Sequence, residues 1–364
     1  MSRGALRPAA PGNPAAKNQV FSYDLASDSL VQLTSGDNES LIRAICAEDD
    51  CGVIQSSADL VPGGNTDGSR EIFLLDLTPS GETRGFTQLT SSTADTFFRG
   101  QAPGGRYLAF ESRGDHVPGS PGNADGSQEI FVYDRKLGVL TQATSSSADS
   151  FFAGFPHARH LMLIESRGDL TPGGTGGGNA DGSREVYVRD LRAGTTTQIT
   201  ATNADSTVTD AGRLRGRFAV IETTGDLRPD VAGGGTGSTD YYLLSVRGLR
   251  RRVGPLFPLV RGIADLRFAG LDQSGRYAGF DTTADLVTSG RVSGNSDGSR
   301  EVFLSKLRRG SPRLRQVTAS TADSEVGLFS NDSRRLLIES RGSLDPTGTG
   351  NADGSVEVFV YRYR

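Results

Sequence analysis

One segment written five times over does most to limit what this chain can fold into. Asn123-Ala124-Asp125-Gly126-Ser127-Gln128-Glu129-Ile130-Phe131 recurs as Asn65 to Phe73, Asn179 to Tyr187, Asn295 to Phe303 and Asn351 to Phe359. A worn copy runs from Gly235 to Tyr242, with Asp240 where the others carry Glu. A second landmark precedes each copy: Gln55 to Asp59, Glu111 to Asp115, Glu165 to Asp169, Glu222 to Asp226, Asp281 to Asp285 and Glu339 to Ser343. A third, Ala94-Asp95, returns as Ala148-Asp149, Ala204-Asp205, Ala264-Asp265 and Ala322-Asp323. Fixed order at a spacing of about 57 residues makes each copy one supersecondary unit.

The unit reads as four strands: a at Phe97 to Ala102, b at Tyr107 to Glu111, c at Glu129 to Tyr133 and d at Leu140 to Ala143. Pro103-Gly104-Gly105 separates a from b, and Asp125-Gly126 turns the chain into c. Gly 48 and Pro 15 in 364 residues suit short strands joined by tight turns and leave no helical stretch between them. Strand quartets repeating at this interval imply radially stacked four-stranded sheets, an all-β propeller that leaves few sheet edges open.

The residues also resemble a family. Leu271-Asp272-Gln273-Ser274-Gly275-Arg276-Tyr277-Ala278-Gly279-Phe280 and Ser330-Asn331-Asp332-Ser333-Arg334-Arg335-Leu336-Leu337-Ile338 are similar to the S-P-D-G-[KR]-x-[IL]-A-F hairpin of TolB-like (PD40, WD40-like) bacterial propellers. Asp181 to Leu191 resembles that family's D-G-[NS]-x-E-I-Y-V-M-D-L strand, and Gln88-Leu89-Thr90 and Gln198-Ile199-Thr200 its closing R-L-T. The long b–c insert, Pro172-Gly173-Gly174-Thr175-Gly176-Gly177-Gly178, departs from it. The resemblance implies a propeller placed outside the cytoplasm. It leaves activity open, because such propellers serve as scaffolds, binders and accessory domains alike.

On this reading residues 1–364 form one propeller domain: a partial blade (strands c and d) over 1–34, full repeats over 35–90, 91–144, 145–200, 201–258 and 259–318, and a last repeat lacking strand d over 319–364. That makes seven blade equivalents; the alternative is a six-bladed ring completed by the N-terminal hairpin. The opening Ser2 to Pro8 superimposes on Ser166 to Pro172, so the chain starts inside a b–c loop, and the natural reading frame is expected to begin upstream. Residues 1–18 hold no apolar signal-peptide core, and no apolar run reaches the roughly 18 residues of a membrane-spanning helix. Cys46 and Cys51 flank an a–b turn, where facing positions suit either a disulfide or two reduced thiols.

In a propeller the d–a and b–c loops share one face, which gathers the recurrent acids there. One reading is calcium, with Asn, Asp, Ser and Glu alternating around a glycine as in the middle of an EF-hand loop. Its ligands would be Asn65, Asp67, Glu71, Asn123, Asp125, Glu129, Asn179, Asp181, Glu185, Asn295, Asp297, Glu301, Asn351, Asp353 and Glu357, with Asp115 and Asp169 as remote donors. The other reading is an Asp-Gly turn whose polar side chains satisfy local backbone groups. Arg113-Gly114-Asp115 reads as a blade position, since other copies carry Thr224-Gly225-Asp226 or Arg341-Gly342-Ser343 there.

The opposite face carries Arg250, Arg251 and Arg252 on one c–d connection and Arg308, Arg309 and Arg313 on the next, a solvated turn or a patch for an acidic partner. A net charge of −4 and turns without stacking aromatics exclude nucleic acid. The three histidines, His116, His157 and His160, have no accompanying metal-ligand set and read as structural. Nucleophile elbow, P-loop and dinucleotide fingerprint are all missing. The sequence therefore points to a monomeric, non-catalytic binding or scaffold module for another protein or an extracellular glycan, with no cofactor unless calcium holds the loops. The alternative is a glycan lyase or hydrolase on the acidic face, and the degenerate copy over Asp230 to Tyr242 is where something unique belongs.

Overall fold

The computed structural model describes residues 17–46, 51–77, 83–119, 122–156, 159–172, 178–211, 218–230, 237–246, 256–263, 265–286, 294–307, 313–345, 350–351 and 353–363. Every regular element among them is a β-strand. The strands form seven antiparallel sheets in chain order: one of two strands, five of four, and a last one of three. Within each sheet consecutive strands are neighbours, the meander that the turn signals predict. No helix among the described residues is long and apolar enough to cross a membrane.

The third sheet shows how the sequence does this. Its strands are Thr96–Gln101, Tyr107–Ser112, Glu129–Asp134 and Val139–Gln142, each within a residue or so of the expected bounds. Strands b and c pair from Tyr107↔Asp134 to Ser112↔Glu129. Val, Ile and Phe runs suit these central strands because both faces are covered. Leu108, Phe110, Ile130 and Phe131 are fully buried, each worth about 1.5–3 kcal/mol. Strand a carries a bulge between Phe98 and Gly100, and the a strands of the second, fifth, sixth and seventh sheets bulge in the same place. A bulge sharpens the local twist of an edge strand.

The chain divides into two compact units, one mostly residues 1–154 and the other mostly residues 155–364. In the first, Val53, Ile72 and Leu74 of the second sheet pack against Leu108, Phe110 and Phe131 of the third. Val20 packs with Ile54, Phe73 and Leu75 in the same way. In the second unit, Phe218, Val220 and Leu243 of the fifth sheet meet Phe280 and Phe303 of the sixth, and Val302 and Leu304 meet Leu336 and Ile338 of the seventh. Cys46 and Cys51 form a disulfide with Cα atoms 5.2 Å apart, beside a Cys46 amide bond to the Cys51 carbonyl.

Candidate functional site

Each copy of the Asn-x-Asp-Gly-Ser-x-Glu segment folds into the same hydrogen-bonded clasp. At Asn123–Glu129, the Asn123 amide donates to the Ser127 carbonyl at 2.9 Å, and the Ser127 amide donates to Asp125 Oδ1 at 3.0 Å. Gly126 follows at φ +71, in the left-handed region, and the matching glycines at 68, 182, 298 and 354 do likewise. A side chain there would strain the turn. The Ser127 hydroxyl reaches the Ser146 carbonyl at 2.8 Å and lies 3.1 Å from Glu129 Oε1, which also accepts the Ser146 amide at 2.7 Å. Glu71, Glu185 and Glu301 hold the amides of Ser92, Thr202 and Ser320 in the same way.

The other two landmarks are stitches between neighbouring sheets. Asp95, Asp149, Asp205 and Asp323 accept the amides of Arg70, Gln128, Arg184 and Arg300, each at 2.8 Å. Gln55, Glu111, Glu165 and Asp281 accept the strand-a amides of Phe98, Phe152, Val208 and Val326. Glycine in Arg113-Gly114-Asp115 is a packing requirement: an added Cβ would lie 2.1 Å from the Ser92 hydroxyl. Arg113 binds Asp149 at 2.7 Å and the Gly126 carbonyl at 2.9 Å, while Asp115 caps the Val117 amide. Asp169 caps Thr171 in the same manner.

The seventeen candidate ligands therefore meet mainly as local backbone acceptors and donors, three or four per loop. Among the described residues no three His, Cys, Asp or Glu side chains group closely enough to hold a metal ion. Asp67, Asp125, Asp181, Asp297 and Asp353 are held below the usual carboxylate range by the amide of the Ser two residues on. Burial pushes Glu71, Glu129, Glu185 and Glu301 up, against the bonds that favour their charge. The Thr90, Thr144, Thr200 and Thr318 hydroxyls are among those bonds, for Glu71, Glu129, Glu185 and Glu301 in turn.

Two places break the repeat. In the fifth sheet Asp240, fully buried, replaces the clasp Glu. Arg261 approaches it at 3.4 Å, binds Asp226 at 2.5 Å and the Arg228 carbonyl at 3.0 Å, and lies over the Tyr242 ring. Burial pushes the Tyr242 hydroxyl up to about 12. This ion network was not legible from spacing, because Arg261 lies 21 residues beyond Asp240 on a neighbouring strand. In the sixth sheet Asn295, Asp297, Glu301, Gln316 and Ser320 line a cleft of about 180 Å³. Gln88, Gln142 and Gln198 donate to the carbonyls of Gly64, Gly122 and Gly178, but Gln316 leaves both amide atoms unpartnered.

His116 is a packing residue: Nδ1 accepts the Ser91 amide, Nε2 lies 2.9 Å from the Thr96 hydroxyl, and its ring meets Phe131 edge-on. Burial pulls its pKa down to about 4. His157 and Arg250, Arg251, Arg252, Arg308 and Arg309 lie outside the described residues; Arg313 is an exposed strand-d position opposite Lys306.

No family model and no curated protein matches this chain. Solved structures do match. Porphyromonas gingivalis dipeptidyl peptidase 4 aligns at TM-score 0.55 and 12% identity, over 95% of this chain and 47% of that one. A protein of Agrobacterium tumefaciens assigned as TolB aligns at 0.37 and 13%, over 80% and 86%. An oligogalacturonate lyase in complex with manganese aligns at 0.41 and 11%, over 96% and 85%. Likeness at such identity is one of fold. The successive four-stranded antiparallel sheets are propeller blades, and the fold class is the β-propeller.

Proposed function

We infer that this chain is a non-catalytic binding module, working outside the cytoplasm, that presents a stiff, acid-rich loop face to another protein or an extracellular glycan. One observation carries the reading: in four copies the recurrent glutamates, Glu71, Glu129, Glu185 and Glu301, are engaged alike, each accepting a backbone amide. Catalysis needs groups that differ from their repeats and converge on one reacting atom. Here the asymmetric acids are engaged by Arg261. The disulfide at Cys46–Cys51 fits an oxidising compartment. In the cleft beside Glu301, the Gln316 amide supplies polar atoms free to meet a ligand hydroxyl or amide.

The test is capture from an extracytoplasmic fraction and a glycan array, alongside chromogenic glycosides, esters and peptides. Retention of a ligand without turnover, weakened by Gln316→Ala, supports the module. Turnover of any glycoside or uronide, lost in Glu301→Gln, favours the lyase or hydrolase reading. Calcium at the loops would use oxygens the clasp leaves over, such as Oδ2 of Asp67 and Asp125. Heat in a calorimetric titration and a rise in Tm support the ion; neither leaves hydrogen bonds as the loops' whole support.

A further inference from the structure

The acid that ends strand b stands among donors, and in the third sheet the two are balanced. Phe97 pairs with Glu111, and the bulge residue Arg99 turns back so that its Nε donates to Glu111 Oε2 at 2.7 Å. Gln128, just before the clasp Glu129, donates to the same oxygen at 2.8 Å, while Oε1 takes the Phe152 amide. Glu165 likewise holds the Val208 amide and Arg184, and Asp281 holds the Val326 amide, Arg267 and Arg300. One carboxylate thus serves a neighbouring amide and the side-chain donors around it.

The second sheet keeps the donors and lacks the carboxylate. Leu41 pairs with Gln55 as Phe97 pairs with Glu111, and Arg43 is the bulge residue as Arg99 is. Arg70 stands before Glu71 as Gln128, Arg184 and Arg300 stand before their glutamates. Gln55, 3% exposed, uses its Oε1 to accept the Phe98 amide at 3.2 Å. Its Nε2 therefore takes the place of the oxygen that Arg99 and Gln128 grip on Glu111, and it donates to no described residue. Arg43 is exposed and pairs with no described acid. Arg70 is drawn aside, to the half-exposed Asp95 at 3.3 Å and over the Phe97 ring.

We propose that this notch is an anion site for a partner polypeptide. An Asp or Glu side chain of the partner sets its carboxylate on Gln55 Nε2 and the guanidiniums of Arg43 and Arg70, where the other sheets supply a carboxylate of their own. Charge-assisted bonds of this kind are the strong ones, and the arginine fork matches a carboxylate with two bonds. The surroundings select a lone acid. Asp59 lies four residues beyond Gln55 and Asp67 three before Arg70, both held below the usual carboxylate range by backbone amides. A polyuronide, charged at every sugar, meets repulsion from these acids, whereas a peptide can present one carboxylate between neutral residues. The inference rests on the reading of the loop face as a binding surface and names the chemistry of its partner.

The test titrates the full chain, nitrogen-15-labelled, with the peptide Gly-Ser-Glu-Ser-Gly blocked at both ends. The Nε–H signals of Arg43 and Arg70 should shift together and saturate with a Kd of about 1 mM, while that of Arg99, already on Glu111, stays in place. The peptide with Gln for Glu should bind about tenfold more weakly. Gln55→Glu supplies the carboxylate from within, as Glu111 does, and should abolish binding with Tm unchanged or raised. Arg43→Ala, an exposed change, should weaken binding about tenfold and decides the matter if Gln55→Glu unfolds. Absence of a saturable shift up to about 10 mM, equal binding of both peptides, or undiminished binding to folded Gln55→Glu overturns the proposal. So does tighter binding of trigalacturonate than of the peptide, because a glycan would then be the occupant. A partner captured equally by the wild-type chain and by Gln55→Glu sinks this site alone; capture of nothing by either sinks the reading on which it rests.

Discussion

The third and fifth sheets solve one structural problem alike in the backbone and differently in the side chains. Both must begin strand c beneath a long loop and tie it to the chain beyond strand d. The third holds Glu129 with the Ser146 amide and the Ser127 hydroxyl, with a turn that only glycine makes comfortably. The fifth keeps a left-handed glycine, Gly237, and an amide bond from Gly262 to Asp240 at 2.8 Å, and adds the nearly buried guanidinium of Arg261 at 3.4 Å. A neutral clasp shares the carboxylate among an amide and hydroxyls. A buried ion pair concentrates the dependence on one partner, because the charge left behind has no solvent.

The sharpest way to break this comparison is Arg261→Ala. It should destabilise the protein by about 3–5 kcal/mol in urea unfolding, whereas Arg261→Ala combined with Asp240→Ala should recover part of that. On the clasp side, Glu129→Ala should cost about 2–3 kcal/mol through the stranded Ser146 amide and Ser127 hydroxyl. Glu129→Gln should cost little, because an acceptor remains and the buried charge is gone. A large loss in Glu129→Gln would show that the clasp needs charge after all.

Acid sharpens the contrast further. His116, held near 4 in the fold against about 6.5 unfolded, stabilises the protein fully above pH 6.5 and loses that contribution as pH falls towards 4. The unfolded chain takes the proton first in that window, so stability declines with acidification, by about 3 kcal/mol. His116→Gln should flatten the decline in Tm across it. The smallest effect belongs to the rim: Arg70→Ala removes a half-exposed pair with Asp95 at 3.3 Å and should shift stability by at most about 0.5 kcal/mol.

Repetition made the blades legible. The β-rich runs Tyr107 to Glu111 and Glu129 to Tyr133 and the Asp125-Gly126 turn are local signals, and strands formed where they pointed. The role of the acids was half legible: their recurrence argued for geometry, but Glu111 gave no sign that it meets the amide of Phe152, 41 residues away. Nor did Gln88-Leu89-Thr90 announce that its threonine grips Ile72. The Asn-x-Asp-Gly-Ser-x-Glu pattern displays closely spaced oxygen-bearing side chains, and the backbone amides that engage them are invisible in a string of residue types.

What the sequence determined alone is whatever depends on near neighbours along the chain: strand, turn, order and period, because propensity and turn stereochemistry act over a few residues. What only the tertiary structure decided is which polar atoms find partners. Hydrogen bonds form across sheets between residues roughly 20 to 60 positions apart, and burial decides whether a carboxylate left without one is a cost or a site.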